Sequence, residues 1–128
     1  MTSPSQAPRL VDVDGLSRAL ERFAQERDWT QFHSPKNLAM ALTGEVGELV
    51  EIFQWMSAEQ SAGAGADPDT AQAVRDELAD VLVYLVRLAD RLGVDLDAAV
   101  RDKLQRNAQR YPAGEVRGSN RKRAAPKP

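Results

Sequence analysis

Residues 42–55, "LTGEVGELVEIFQW", constrain the fold more than any other stretch of this chain. The apolar residues recur at the spacing of one helical face, and they are Leu42, Val46, Leu49, Val50 and Phe53. Glu45 and Glu48 lie beside that apolar stripe and not on the far side of the helix with Glu51. Charged groups at the edge of a core raise the free energy unless something compensates them. The stretch therefore predicts a helix whose two acids need a partner.

A second stretch, "ELADVLVYL", repeats this design on a later predicted helix. The apolar stripe of that whole helix consists of Val74, Leu78, Val81, Leu82, Leu85 and Ala89. At roughly 100° per residue, Glu77 and Asp80 lie about 60° apart on one flank of that stripe, and Tyr84 shares the flank. If the two helices pack antiparallel, the two acidic pairs converge at the seam between them.

Four converging carboxylates repel one another unless they take up protons, turn into water or bind a cation. The chain has no cysteine and one histidine, so oxygen ligands dominate and favour Mg²⁺, with Mn²⁺ as the alternative. Mg²⁺ bound by carboxylates commonly also binds substrate phosphate, which points to phosphoryl chemistry. Solvated acids without a ligand are the plainer interpretation, because such pairs are common on helices. Redox di-iron is disfavoured, because its usual motif is Glu-x-x-His and neither acidic pair contains histidine.

Four helices are predicted, approximately over residues 14–27, 34–55, 67–92 and 95–111, and no stretch alternates as a strand does. Ser34 is expected to cap the second helix with Pro35 at its first position. Gly93 is expected to end the third helix, and Asp95 to cap the fourth. The predicted fold class is therefore all-α, and a four-helix bundle is the default packing.

Composition sets the expected domain limits and the compartment. Residues 1–10 are predicted to be flexible, residues 11–112 to form one domain, and the Gly/Ala-rich linker 57–69 to be mobile. Residues 113–128 are basic and lack a tryptophan, tyrosine or phenylalanine to stack on a base, so a disordered tail is favoured over a nucleic-acid contact. No apolar run could span a bilayer and no signal peptide is evident, so a cytoplasmic location without membrane association is expected.

Other side chains could complete a nucleotide site. Trp29 and His33 lie in the loop before the second helix, and Trp55 lies at its end. Aromatic rings can stack on a base, although each of these residues could equally belong to the core or its rim. Lys103, Asn107 and Arg110 recur at the spacing of one helical face. That polar stripe could contact phosphates or simply face solvent, and spacing alone leaves both interpretations open.

The order of these motifs resembles that of the MazG-like all-α nucleoside triphosphate pyrophosphatases, and within them the dCTP pyrophosphatase branch. Three segments carry the resemblance: "DWTQFHSPKNLAMALTGEVGELVEIFQW", "VRDELADVLVYLVRLADRLGVDL" and "KLQRNAQRYP". They contain in order a Trp-x-x-Phe-His lead-in, a Glu-x-x-Glu helix, a Glu-x-x-Asp helix and a terminal Asn-x-x-Arg-Tyr-Pro. The resemblance covers about residues 27–112.

The resemblance implies both a site and a reaction. The Mg²⁺ ligands and catalytic acids would be Glu45, Glu48, Glu77 and Asp80. Substrate would contact Trp29, His33, Trp55 and Tyr84, with Lys103, Asn107 and Arg110 reaching phosphate or sugar, some of them from a neighbouring subunit of a homodimer or homotetramer. Water would attack the α-phosphate of dCTP or a modified dCTP, giving the monophosphate and pyrophosphate and so cleaning the nucleotide pool.

Two alternatives to this function are weighed. One is an enzyme that hydrolyses phosphoribosyl-ATP, although the "QFH" lead-in and Trp55 favour a base-stacking pocket. The other is a non-catalytic helical adaptor whose acidic flank binds a protein partner. Dependence on a metal separates the adaptor from both enzymes.

Overall fold

The computed structural model describes residues 8–124. Its helices are α1 (Asp14–Glu26), α2 (Pro35–Phe53), α3 (Ala58–Ala62), α4 (Ala71–Leu92), α5 (Leu96–Arg110) and α6 (Ala113–Val116), and a 3₁₀ turn, Thr30–Phe32, precedes α2. Residues 8–124 contain no strand, so the predicted all-α class is confirmed. The four long helices, α1, α2, α4 and α5, correspond to the four predicted from the sequence.

The described residues form two compact units. One unit is Val13–Val94 and contains α1 to α4. The other combines the described residues up to Asp12 with those from Asp95 onward, and it contains α5 and α6. The single domain expected over residues 11–112 stays a prediction.

The long helices end where their capping residues predict. The Ser34 hydroxyl accepts a hydrogen bond from the backbone N–H of Asn37 at 3.1 Å, and Pro35 opens α2. Gly93 closes α4 in the left-handed region at φ 68°, which glycine adopts without steric cost. Asp95 caps α5 by accepting from the N–H of Ala98. Local chemistry therefore sets these boundaries.

The linker between α2 and α4 is more ordered than its composition suggested. Ser57 and Gln60 form a reciprocal capping box at the start of α3. Further along, the Thr70 hydroxyl donates to the carbonyl of Ala64 at 2.6 Å, and Ala64 is buried. The linker that was expected to be mobile thus contains a short helix and a turn stabilised by the hydrogen bond between Thr70 and Ala64.

Helices α1, α2 and α4 pack together within their unit, with α4 in contact with both others. The start of α2 lies at the end of α4, because the His33 ring and carbonyl accept hydrogen bonds from Arg87 and Arg91. Farther along α2, Glu45 meets Glu77 near the start of α4. The two helices are therefore antiparallel, as the converging acidic pairs require.

Five of the eleven residues in the two predicted apolar stripes are exposed in this chain. We call Val46, Val50, Leu78, Leu82 and Leu85 the apolar face; Val50 and Leu78, for example, are 54% and 53% exposed. The prediction that these five belong to the chain's own core is wrong. The surface that α2 and α4 bury against each other is centred nearer the acids than the apolar stripes predict. Leu38 is fully buried there, and Glu45 and Glu77 are partly buried. Both parts of the apolar face lie on the same side of the antiparallel pair.

The first described residues form hydrogen bonds with α5 within the second unit. The N–H groups of Leu10 and Val11 donate to one carboxylate oxygen of Asp97 at 2.6 and 3.0 Å. The greater part of the predicted flexible N-terminus, residues 1–7, lies outside the described residues.

Among the described helices, none is long and apolar enough to cross a membrane.

The basic tail is partly structured as far as residue 124. Helix α6 begins it, and the N–H of Arg123 donates to the Tyr111 hydroxyl at 3.0 Å. The Arg123 guanidinium also pairs with Glu115 at 3.0 Å. This differs from the disorder expected over 113–128, of which residues 125–128 lie outside the described residues.

Candidate active site

An acidic cluster lies at the contact between α2 and α4. Glu45 and Glu48 come from successive turns of α2, and Glu77 comes from α4. One carboxylate oxygen of each lies within 4.8 Å of the other two. Asp80, one turn beyond Glu77, is outside this group of three, but its charge raises the pKa values of both Glu45 and Glu77. The structure thus brings together Glu45, Glu48 and Glu77, and the place of Asp80 in the site stays a prediction.

Two oxygens of this cluster lack the partners that buried atoms normally have. Oε2 of Glu45 and Oε2 of Glu77 are buried and accept no hydrogen bond. Buried polar atoms are nearly always hydrogen-bonded, so an exception usually marks a functional site or a missing ion. Two unpartnered carboxylate oxygens in such a cluster are what a bound cation would satisfy.

The electrostatics of the cluster point the same way. A hydrogen bond to Glu77, burial, and the bond and charge of Glu48 together raise the pKa of Glu45 to about 7. Burial also raises the pKa of Glu77, with Glu48 and Asp80 adding to the effect and the bond to Glu45 opposing it. Without a cation, Glu45 therefore keeps its proton in about half of the molecules at pH 7, and a metal ion would replace that proton.

The donor set suits a hard divalent cation. Glu45, Glu48 and Glu77 offer oxygens only, and the chain has no cysteine. Carboxylate oxygens are the ligands that Mg²⁺, Ca²⁺ and Mn²⁺ prefer. The cluster is therefore compatible with divalent-metal binding.

A cavity of about 280 Å³ lies in the same unit. Its lining is mostly apolar and consists of Leu20, Phe23, Trp29, His33, Leu38, Val83, Tyr84 and Arg87. Trp29 meets Phe23 edge-on, with ring centroids 5.7 Å apart at 65°. Tyr84 follows Asp80 by one turn of α4, and Leu38 precedes Glu45 by two turns of α2, so the cavity is adjacent to the acids. An aromatic pocket beside a carboxylate cluster is suited to a ligand with a flat ring and an anionic tail.

Arg87 is a cavity residue that the sequence reasoning missed. It is only 3% exposed; its Nε donates to Nδ1 of His33 at 3.0 Å, and its Nη1 pairs with Glu21. Its Nη2 is buried and has no hydrogen-bond partner. Burial and the charges of Arg87 and Arg91 lower the pKa of His33, so that ring is neutral at pH 7. The spacing in the sequence places Arg87 on the same helical flank as Asp80 and Tyr84, but it does not indicate that Arg87 is buried or which residues it contacts.

The model of the MazG-like family matches residues 41–123, which include all four acids. The chain belongs to the MazG-like family. It is similar to dCTP pyrophosphatase 1 of Homo sapiens, with 49% identity over 118 residues, covering 92% of this chain and 68% of that protein. Against dCTP pyrophosphatase 1 of Rattus norvegicus the identity is 50%, over 90% of this chain and 66% of that protein.

A solved structure resembles this MazG-like chain as well. It is the crystal structure of a pyrophosphatase from Archaeoglobus fulgidus, with a TM-score of 0.73 and 34% identity. The match covers 83% of this chain and 97% of that one. The resemblance drawn from the motifs, to the MazG-like family and its dCTP pyrophosphatase branch, is confirmed. The present chain spans about two thirds of the length of the mammalian relatives.

The other binding residues inferred from the MazG-like resemblance fall into three groups. Trp29, His33 and Tyr84 line the cavity, as expected. Trp55 is 89% exposed and is not part of the cavity lining. The third group, Lys103, Asn107 and Arg110, lies on α5 of the other unit. The roles of all these residues remain predictions.

Proposed function

We propose that this MazG-like chain is a divalent-metal-dependent pyrophosphohydrolase that converts dCTP, or a base-modified dCTP, to the monophosphate and pyrophosphate. The observation that carries the proposal is the acidic cluster with unpartnered buried oxygens, adjacent to an aromatic cavity. The mammalian relatives named dCTP pyrophosphatase support the substrate. The Archaeoglobus structure, titled a pyrophosphatase, supports the reaction type.

Glu45, Glu48 and Glu77 would hold the cation, with Asp80 adding a fourth carboxylate. Mg²⁺ is the proposed ion and Mn²⁺ the alternative, and either one supplies positive charge that offsets the charge of the triphosphate. Trp29 and Tyr84 hold the base between aromatic surfaces of the cavity. With the base in this position, the triphosphate extends toward the acidic cluster, since Asp80 lies one turn of α4 from Tyr84.

In the proposed reaction, a water oxygen attacks the α-phosphorus. A carboxylate of the acidic cluster orients this water and accepts its proton. The bond from the α-phosphorus to the oxygen bridging to the β-phosphate breaks, and pyrophosphate leaves with that oxygen. The biological role would be to cleanse the cytoplasmic nucleotide pool.

The apolar face supports a homodimer, in which α2 and α4 of two copies would cover each other. Exposed contiguous apolar surface of this kind usually marks an interaction site. Trp55, Lys103, Asn107 and Arg110 are then candidates to complete a neighbouring subunit's site, with the three polar residues contacting phosphate or sugar. A homotetramer built from two such dimers is compatible with the same face.

The test is pyrophosphate release from a panel of canonical and base-modified nucleoside triphosphates, with Mg²⁺ and with chelator. Chelator-sensitive release that is greatest with dCTP or a modified dCTP is the expected result. If the folded protein releases pyrophosphate from no nucleoside triphosphate, the proposal fails. Phosphoribosyl-ATP would then be assayed, and inactivity on it too would favour the adaptor.

A further inference from the structure

Arg87 presents a feature that the proposed reaction does not use. Its guanidinium is nearly fully buried, and two of its three nitrogens are satisfied, by His33 and by Glu21. The third, Nη2, is buried without a partner. A guanidinium has only donors, so Nη2 can be satisfied only by an acceptor. Leaving a charged donor without one in a buried site is unfavourable.

Among the side chains that line the cavity, Tyr84 alone has an oxygen that could accept, and it forms no hydrogen bond with Nη2. Leu20, Phe23, Leu38 and Val83 are apolar, and Trp29 can only donate. Nδ1 of His33 already accepts from Nε of Arg87. A ligand that fills the cavity is therefore the natural source of the acceptor.

His33 reinforces this preference. Since its Nδ1 accepts a hydrogen bond and the ring is neutral, the ring proton resides on Nε2, which is a second donor in the cavity lining. Glu21 fixes the guanidinium from the other side, and Arg91 holds the His33 carbonyl at 3.1 Å. The polar side chains of the cavity, Arg87 and His33, therefore present mainly hydrogen-bond donors, and Glu21 and Arg91 fix their positions.

On the basis of the proposed function, we propose that Arg87 is a specificity-determining residue whose Nη2 donates to the acceptor edge of the substrate base. Cytosine presents its O2 and N3 acceptors side by side. Thymine and uracil place an N3–H donor between two carbonyls, and that donor would oppose the guanidinium. Arg87 therefore selects cytosine, with or without a substituent at C5, over thymine and uracil.

The experiment uses Arg87→Met, which keeps much of the side-chain volume and removes every donor. The kcat/KM is measured for dCTP, dTTP and 3-deaza-dCTP, in which a C–H replaces ring N3. Wild type should prefer dCTP to each of the others by roughly 10- to 100-fold, the range for a lost hydrogen bond in a binding site. Arg87→Met should reduce kcat/KM for dCTP by a similar factor and bring the three substrates close to equality.

The matched control is Arg22→Met, the same substitution at an exposed arginine of α1 that does not line the cavity. It should keep the wild-type order of substrates. An equal loss on all three substrates in Arg87→Met would overturn the inference, because it would indicate a structural role. So would equal use of dCTP and 3-deaza-dCTP by wild type, a comparison that needs no variant to fold. Wild type that cleaves no triphosphate at all would instead defeat the proposed function.

Discussion

Replacement of Glu45 by glutamine should stabilise the metal-free protein while abolishing its activity. The pKa of Glu45 is raised to about 7, so its proton is bound more tightly in the folded chain than in the unfolded chain. The stability linked to this group is fully present below its ordinary pKa of 4.5 and is lost as pH rises through 7. At pH 8 without metal, the ionised Glu45 therefore opposes folding, and an amide of the same shape does not.

The size of the effect follows from the shift. Going from 4.5 to about 7 is 2.5 pKa units, which correspond at most to about 3.4 kcal/mol at about 1.36 kcal/mol per unit. Glu45 is partly exposed, so solvent screening reduces the expected gain to about 1–2 kcal/mol. For a chain of 128 residues with an unfolding entropy of about 2.1 cal/mol/K per residue, the melting temperature should rise by about 4–7 °C.

The assay is thermal unfolding followed by circular dichroism at pH 8 and pH 5, with chelator and with excess Mg²⁺. The advantage of Glu45→Gln should be largest at pH 8 with chelator, and it should shrink at pH 5, where wild type holds the proton. Mg²⁺ should stabilise wild type more than the variant, because the variant has lost one anionic ligand. Glu51→Gln, an exposed acid of the same helix outside the cluster, is the control and should change little.

Three results would refute this reasoning. A lower melting temperature for Glu45→Gln at pH 8 in chelator would mean that Glu45 stabilises the metal-free fold. An advantage that does not depend on pH would exclude repulsion as its cause. Wild-type turnover by the variant, measured as pyrophosphate release, would remove Glu45 from the mechanism.

Three further predictions concern other parts of the chain. Asp80→Asn should reduce kcat at least 100-fold, which corresponds to roughly 2.7 kcal/mol in the activation barrier. Because the side chain is exposed, the circular dichroism spectrum should not change, and a near-normal kcat would exclude Asp80 from the site. Leu82→Glu should convert the dimer to monomer in size-exclusion chromatography with light scattering. Ala73→Glu, at an exposed position about 180° around α4 from Leu82, should not, and a monomeric wild type would end the dimer proposal. Ser57→Ala should lose the capping box and about 1 kcal/mol of unfolding free energy in urea titration, and an unchanged midpoint would show that α3 does not contribute to global stability.

The helices could be predicted because their signals are local. Ser34, Gly93 and Asp95 act on neighbouring backbone groups, and the structure places all three at helix ends as expected. The meeting of Glu45 with Glu77 also follows from spacing once the helices are antiparallel. Helix α3 was missed because five residues are too few for a periodic stripe, although its Ser-x-x-Gln cap was readable.

What could not be predicted depends on contacts between distant parts of the chain. Arg87 is bound by Glu21 and His33, which are 66 and 54 residues away, and no pattern along one helix reveals such a set. The apolar face shows a second limit. Periodicity indicates that Leu82 needs to be buried, but not whether its own chain or another copy buries it.

The ordered linker also bears on how quickly the chain folds. Bringing α2 onto α4 requires closing the segment between Phe53 and Ala71, and the entropy lost on closure grows with the flexible length. Helix α3 can form early because its hydrogen bonds join residues close in sequence. Once it has formed, the flexible part of the segment is shorter and less entropy is lost on closure. The pairing of α2 with α4 should therefore be an early event in folding, so that the two halves of the acidic cluster meet before the rest of the chain has docked.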